Sequence, residues 1–404
     1  MFSAATRIFK VPKGPLAYLV LMAAGSSFSF ALWQALLNNF TVEVAGFTGS
    51  EIGTLQSLRE VPGFFAFTVV FALLVVKQQT LAVVSVAVLG LGVALTGFFP
   101  SVYGLYFTTV LMSVGFHYFE TMQMSLSLQW FSAEEAPKIM GQQISARSVA
   151  ALLAFAILWV LLDVLNVGYV LLYVIGGLTT VALALYVACT FPQFKIGVAQ
   201  ERRIHLRKRY WLFYALTFMG GARRQIFVVF AGFLLVTKFD FTAAEISGLY
   251  LVNQIATALL APKLGALIGY FGERNALIFE YIGLIGIFLG YAYASSGEVA
   301  ALFFVLDHLF FAFAIAQKSY LKKIADPSDL AVTSSVSFSI NHIAAVIIPW
   351  LFGVFVWAQS PALVFVIGAG MAGVSLVLAL NVPRHPAPGN EVHLGKVSRR
   401  MPVA

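Results

Sequence analysis

Charged side chains stand inside several long apolar runs of this 404-residue chain. Arg59, Arg147 and Arg223 each carry a guanidinium group, whose planar fork binds a carboxylate or a phosphate through two parallel hydrogen bonds. Glu120 and Asp307 carry carboxyl groups, which together with imidazoles are the usual proton carriers inside membranes. These residue types predict recognition of an anionic group and proton transfer. No group of side chains typical of covalent catalysis is found with them.

Helical spacing places many of these polar residues on shared faces. His117 and Glu120 lie three residues apart with Gln123 alongside, and Gln143 lies one turn before Arg147. We expect a binding set and a proton-carrying set. The binding set comprises Arg59, Arg147, Arg223, Asn253, Asn341, Gln123 and Gln143, and the proton-carrying set comprises Glu120, Asp307, His117 and His308.

Structural roles are the alternative for each of these residues. Polar side chains can hydrogen-bond across a packed helix interface, and an acid can simply neutralise an Arg. Arg59 has two such acids to choose from, Glu60 and Glu120. The choice between Arg223 and Arg224 stays open, because adjacent helical residues point about 100° apart.

The composition predicts the elements that hold these residues. Hydrophobic residues make up 60% of the chain and charged residues 10%, with a mean hydropathy of +0.90, whereas soluble domains carry about 25% charged residues. Apolar runs of about 20 residues recur throughout, which is the length of a membrane-spanning helix. Membrane strands are excluded because the runs lack alternation. Cys189 is the single cysteine, so an intrachain disulfide is excluded.

Twelve spans are predicted, so the fold class is an all-α membrane protein. Their approximate ranges are 15–40, 48–76, 81–99, 103–131, 139–162, 169–190, 210–236, 242–270, 276–293, 299–324, 330–357 and 363–382.

The spans form two copies of one six-helix unit. Thr48 and Glu51 before one run recur 194 residues later as Thr242 and Glu245, and each pair is typical of a capping box at a helix start. At the same offset, three further polar pairs coincide without a gap. These are Arg59 with Asn253, Gln123 with Gln317, and Arg147 with Asn341. Six helices is an even number, so the copies enter the membrane in the same direction and form a parallel repeat.

Basic residues predict the orientation. Of 25 Lys and Arg residues, five lie inside the predicted spans and Lys238 stands alone on one side. All others fall on the opposite side, so both termini and the central loop are expected in the cytoplasm of an inner-membrane protein. This positional bias explains the net charge of +8 better than nucleic-acid binding does. The expected domains are 1–190, the basic loop 191–209, 210–383 and a disordered tail 384–404.

This architecture resembles the major facilitator superfamily of transporters. The segment 265–274, GALIGYFGER, is similar to the second copy of the family's loop motif, although Gly269 stands where the family has Asp. In the first copy, Lys77-Gln78-Gln79 replaces the charged residues. The resemblance implies a cavity lined by helices 1, 2, 4, 5, 7, 8, 10 and 11, which carry nearly all of the intramembrane charges.

The function expected from residues and resemblance is secondary active transport of a small organic solute, anionic or zwitterionic, by alternating access. Proton coupling through Glu120 and Asp307 is a separate expectation. The alternative is an exporter of drugs or amphiphilic, lipid-like compounds, which the aromatic content of 15% favours. We expect a monomer that is embedded in lipid, is not an enzyme and uses no cofactor. No nucleotide-binding loop of the GxxxxGK[ST] type is present, which argues against ATP drive.

Overall fold

A computed structural model describes residues 14–131, 136–194, 207–326 and 329–395. The helices are α1 Pro15–Glu43, α2 Gly49–Phe64, α3 Val69–Ala72, α4 Gln78–Thr96, α5 Val102–Trp130, α6 Ala136–Trp159, α7 Tyr169–Thr190, α8 Trp211–Phe239, α9 Ala243–Phe271, α10 Glu273–Ala292, α11 Gly297–Phe310, α12 Ala314–Ile324, α13 Leu330–Leu351 and α14 Pro361–Leu380. Short π-helical segments extend α6 over Val160–Val164 and α13 over Phe352–Trp357. The described residues form no strand, so the expected all-helical class is confirmed for them.

Ten segments within the described residues are long and apolar enough to cross a membrane. The two remaining expected spans begin at α2 and α5. α2 has only 16 residues, and Pro62 in its last turn cannot donate the i→i−4 hydrogen bond of a regular helix. α5 is 29 residues long, but polar side chains such as His117 and Glu120 lower its hydropathy. The structure therefore supports ten of the twelve expected spans directly.

The predicted capping box forms in full at the start of α9 and in part at the start of α2. Glu245 Oε2 accepts from Thr242 N at 2.8 Å, and Thr242 Oγ1 accepts from Glu245 N at 3.2 Å, which completes the box before α9. Before α2, Glu51 Oε2 accepts from Thr48 N at 2.9 Å, and Thr48 Oγ1 accepts from Ser50 N at 3.3 Å instead of from Glu51 N. The repeated signal in the sequence therefore marks two equivalent helix starts.

The chain divides into two compact units, one of residues 1–36 with 65–200 and one of residues 37–64 with 201–404. The first unit holds a core in which Tyr18, Val86, Phe119 and Val187 are almost wholly buried. α4 and α7 approach closely there, since a Cβ at Gly177 would lie 2.3 Å from the carbonyl oxygen of Gly90. Small residues at such a crossing allow two backbones to touch.

The second unit includes α2 and α8–α14. Phe227 of α8 lies at its centre, with the ring centroids of Tyr291 and Phe288 at 5.2 Å and 5.7 Å. α2 packs on the end of α13, where a Cβ at Gly53 would lie 2.3 Å from the carbonyl oxygen of Pro349. Residues 37–64 were expected in the first bundle, and these contacts explain why they belong to the second compact unit.

The end of the chain differs from the expected disorder. Residues 384–395 have a defined path, and Val392 is 2% exposed. The hydroxyl of Tyr320 donates to the carbonyl of Glu391, and Trp211 Nε1 donates to the carbonyl of Gly395 at 3.3 Å. Residues 396–404, and residues 195–206 of the expected central loop, lie outside the described residues.

Candidate functional site

The first unit brings five polar residues of α5 and α6 together, and we name them the Arg147 cluster. Its members are Glu120, Gln123, Ser127, Gln143 and Arg147. The i, i+3, i+7 spacing along α5 puts Glu120, Gln123 and Ser127 on the helix face that meets α6. The stripes expected from the sequence therefore lie against each other.

Direct contacts connect every member of the Arg147 cluster. Arg147 Nη2 makes an ion pair with Glu120 Oε1 and donates to Gln123 Oε1. Gln123 Nε2 donates to Gln143 Oε1 at 2.5 Å, and Gln143 Nε2 donates to Ser127 Oγ at 2.8 Å. The two amides therefore have fixed orientations, with a Gln123 oxygen aimed at the guanidinium.

Accessibility differs sharply within this cluster. Gln123, Ser127 and Gln143 are buried at 3%, 0% and 6% exposure. The side chains of Arg147 and Glu120 remain 26% and 31% exposed. The buried amides therefore lie under an ion pair that is accessible from outside the protein interior.

In the second unit, Arg59 and Glu60 at the end of α2 form a buried pair. Arg59 Nη2 lies 2.5 Å from Glu60 Oε1, and His342 Nδ1 of α13 lies 3.2 Å from Glu60 Oε2. The pairing with Glu60, one of the two structural alternatives, is thus the one formed. His342 was outside both predicted sets, although its place one residue after Asn341 was a signal.

The adjacent side chains of Arg223 and Arg224 have different surroundings. Arg223 is 7% exposed, and its Nη2 lies 3.1 Å from Glu280 Oε1. Arg224 is exposed, with its guanidinium 5.6 Å from the centre of the Phe311 ring. Arg223 was expected in the binding set, but the more exposed of the two guanidinium groups belongs to Arg224. Glu280, the partner of Arg223, was not among the expected residues because it lies near a helix start.

Arg224 lies within electrostatic reach of Glu60, Arg59 and Asp307. We name these four residues together with His342 the Arg224 cluster. Asp307 is 1% exposed, and its Oδ2 has no hydrogen-bond partner among the described residues. A buried carboxyl with a free oxygen is a candidate proton carrier.

The remaining predicted residues have varied environments. Asn253 is 3% exposed, and neither of its side-chain polar atoms has a hydrogen-bond partner within the described parts of the chain. Asn341 is exposed and lies beside Gly221, where an added Cβ would be 2.5 Å from Asn341 Oδ1. His117 is buried against the Phe116 ring, whereas His308 Nδ1 lies 2.9 Å from the carbonyl oxygen of Phe304.

The comparisons with known proteins agree with this fold. The model of the Major Facilitator Superfamily matches residues 16–317, most of the chain. The chain therefore belongs to the major facilitator superfamily and is a multi-pass membrane transporter rather than an enzyme. A search of curated proteins gives no match.

Solved structures of other transporters share the fold at low sequence identity. A point mutant of the nucleoside transporter NupG aligns with a TM-score of 0.72 at 15% identity, over 91% of this chain and 98% of that one. A bacterial homologue of the human lysosomal transporter Spinster aligns with a TM-score of 0.66 at 14% identity, over 90% and 94%. A POT family transporter in complex with a thioalcohol-conjugated peptide gives 0.67 at 13%, also over 90% and 94%.

Proposed function

We propose that this transporter moves a small organic solute with an anionic group, either an anion or a zwitterion, across the inner membrane by alternating access. The observation that carries the proposal is the partly exposed ion pair between Arg147 and Glu120, which lies on the buried amides of Gln123 and Gln143. A guanidinium binds a carboxylate or phosphate through its fork. A solute anion can therefore replace Glu120 as the partner of Arg147 without leaving the guanidinium unpaired.

Exchange of partners offers a route to proton coupling. When a solute anion takes the guanidinium of Arg147, Glu120 loses its positive neighbour, and proton binding then offsets the lost ion pair. Asp307 in the second unit is the other proton candidate, because it is buried and has an unpartnered oxygen among the described residues. Solute binding and proton binding would thus be linked in the first unit through one pair of side chains.

The orientation belongs to this proposal as well. With nearly all loop Lys and Arg residues on one side, we infer that both termini are cytoplasmic. We also propose that the transporter works as a monomer in the inner membrane.

Uptake into proteoliposomes tests the solute proposal. The parent should accumulate members of a panel of organic anions and zwitterionic dipeptides, the latter included because a structurally similar transporter binds a peptide. Nucleosides, which another similar transporter moves, carry no anionic group and serve as the uncharged comparison. Arg147→Ala should lower uptake of the accepted solute by about tenfold or more, since hydrogen bonds to charged groups contribute about 1.5–3 kcal/mol. Arg147→Lys keeps the charge but not the fork and should recover only part of the uptake.

Gln142→Ala is the matched control, because Gln142 is exposed on the same helix outside the cluster. Equal transport by the parent and by Arg147→Ala would refute the anion site. For proton coupling, an imposed pH gradient should stimulate uptake by the parent and not by Glu120→Gln. If the pH gradient did not change uptake by the parent, proton coupling would be excluded.

Export of an amphiphilic compound is the second candidate. It is favoured by three neighbouring aromatic side chains in the first unit. Phe30 stacks on Phe116 with ring centroids 4.8 Å apart, and the ring centroids of Phe30 and Trp33 are 6.0 Å apart. Efflux of an aromatic cation such as ethidium that does not depend on Arg147 would favour this candidate over the anion transporter.

A further inference from the structure

A basic cavity of about 530 Å³ lies in the second unit, on elements separate from the Arg224 cluster. The residues that line it are Arg274, Pro383, Arg384, His385, Asn390 and His393. Two are guanidinium side chains and two are imidazoles, and none of the six is acidic. The cavity therefore has the lining expected for an anion.

The cavity lies where helices leave the membrane. Arg274 is the second residue of the membrane-spanning helix α10, and Arg384 follows the end of α14 at Leu380 by four residues. Just before α10, Tyr270 is 85% exposed and Phe271 is 52% exposed. Exposed aromatic side chains at a helix end are typical of the membrane–water interface. The basic cavity is thus at headgroup level, whichever side of the membrane it faces.

The tail that forms one wall of the cavity is held in place by specific hydrogen bonds. Asn381 Oδ1 accepts from Leu394 N at 2.5 Å, and Asn381 Nδ2 donates to the carbonyl of Leu394 at 3.1 Å. His393 N also donates to the carbonyl of Asn381 at 2.9 Å, and Asn390 Nδ2 donates to the carbonyl of His385 at 2.9 Å. The segment folds back on the end of α14, and the cavity is a consequence of that fold.

The single acid of segment 384–395 is turned away from the solvent-facing bases. Glu391 has a side chain only 8% exposed, with its Oε1 accepting from Gly389 N at 2.8 Å and lying 3.8 Å from Arg209 Nη1. Arg384, His385 and His393 remain exposed. Burial of the only carboxylate leaves the wall of the cavity with cationic and neutral groups. Leu394, 70% exposed, adds an apolar side chain next to His393.

We propose that this cavity binds the phosphate of an anionic membrane lipid. The two guanidinium groups bind the phosphate oxygens, and the exposed Phe271 and Leu394 contact the adjoining acyl region. Basic pockets at the ends of membrane helices recognise anionic headgroups in this way. The proposal is independent of the transported solute and of the side on which the termini lie.

Native mass spectrometry of the full chain in detergent tests the lipid site. Phosphatidylglycerol and phosphatidylcholine with identical acyl chains are added separately, and the parent should retain phosphatidylglycerol preferentially. Arg274→Gln combined with Arg384→Gln should weaken phosphatidylglycerol binding by about 30-fold, from about 1 kcal/mol for each Arg near an anionic surface. Arg384→Gln alone should weaken phosphatidylglycerol binding about fivefold. Because this change is at an exposed tail residue, it still tests the site if the double variant does not fold.

The control is Lys208→Gln combined with Lys322→Gln, which removes the same charge from two exposed residues outside the cavity. It should bind phosphatidylglycerol as the parent does. The proposed site would be refuted if the parent retained both lipids equally. It would also be refuted if the control variant lost as much phosphatidylglycerol binding as the Arg274→Gln, Arg384→Gln variant. If inorganic phosphate alone displaces phosphatidylglycerol at equal concentration, a lipid is not the ligand and the proposal fails.

Discussion

Arg223 and Arg224 are adjacent in sequence, yet their side chains have opposite environments. Arg223 is buried with Glu280, and both side chains are less than a tenth exposed. Arg224 is exposed over the ring of Phe311. A buried ion pair contributes little over an apolar pair, but a lone buried charge is costly. The first Arg is therefore required by the packing of α8 on α10, and the second is available to a solute.

Stability measurements should separate the two arginines. Arg223→Ala leaves Glu280 buried without its partner and should destabilise the fold by about 3–5 kcal/mol. Arg224→Ala, the neighbouring control, should cost about 1 kcal/mol or less, because it removes a contact with the Phe311 ring and leaves no buried carboxylate without its ion-pair partner. Thermal unfolding of the purified variants in one detergent provides the comparison. Similar melting temperatures for the two variants would contradict the assigned environments, and Arg223→Leu with Glu280→Leu should recover most of the loss.

Glycines determine how closely α4 and α7 pack in the first unit. The backbones of Gly90 and Gly177 touch, and a Cβ on either would lie under 3 Å from the carbonyl oxygen of the other. Because the obstructing atom is backbone, no side-chain rotation relieves the clash. The contact depends on both glycines, and helical propensity alone would favour Ala at each position.

Alanine at this crossing should destabilise the first unit although it favours the helix. Gly177→Ala should cost about 1–3 kcal/mol, the range for an overpacked core. Gly373→Ala in α14 is the control, because a Cβ there meets nothing within 4 Å. It should stabilise by up to about 1 kcal/mol through propensity alone. Denaturation that shifts both variants in the same direction would argue against the close approach.

Chain segments far apart in sequence meet at one charged group in the second unit. Arg209, before α8, makes ion pairs with Asp329, before α13, at 2.8 Å, and with Asp326 at 2.5 Å. The same guanidinium approaches Glu391 of the tail. Tyr210 donates its hydroxyl to Asp329 Oδ2 at 2.9 Å. These contacts tie the residues just before α8 to those before α13 and to the tail.

Acidic pH should weaken the ion pairs between Arg209 and Asp329. Partial burial alone would raise the pKa of Asp329, but the hydrogen bonds from Arg209 and Tyr210 and the charge of Arg207 hold it below its ordinary value. A lowered folded-state pKa stabilises the fold above the unfolded pKa of about 3.9, and the benefit disappears as the pH falls through the folded value. The parent should therefore unfold at a higher temperature than Asp329→Asn at pH 7, with the difference shrinking below about pH 4.

Asp163→Asn, at an exposed position after α6, controls for loss of one negative charge. Melting curves between about pH 7 and pH 3, a range that spans the unfolded pKa, supply the measurement. A difference between parent and Asp329→Asn that grows on acidification would show that the sign of the shift is wrong.

The sequence by itself determined the helical membrane class, the starts of α2 and α9 and the polar stripes on α5 and α6. These depend on local properties, namely the length of apolar runs, the spacing of residues along one helix and the capping chemistry of Thr and Glu. The contact of Gln123 with Gln143 and Arg147 was not predicted, because the spacing along each helix shows the two polar stripes but not that they meet.

Only the tertiary structure decided which charges are paired and which are accessible. The burial of Arg223 against Glu280, the position of residues 37–64 in the second unit and the ordered path of residues 384–395 depend on contacts between distant segments. The pairing energy of a charge is set by its neighbours in space and by its exclusion from water. A helical period specifies the direction of each side chain but not the helix that it meets.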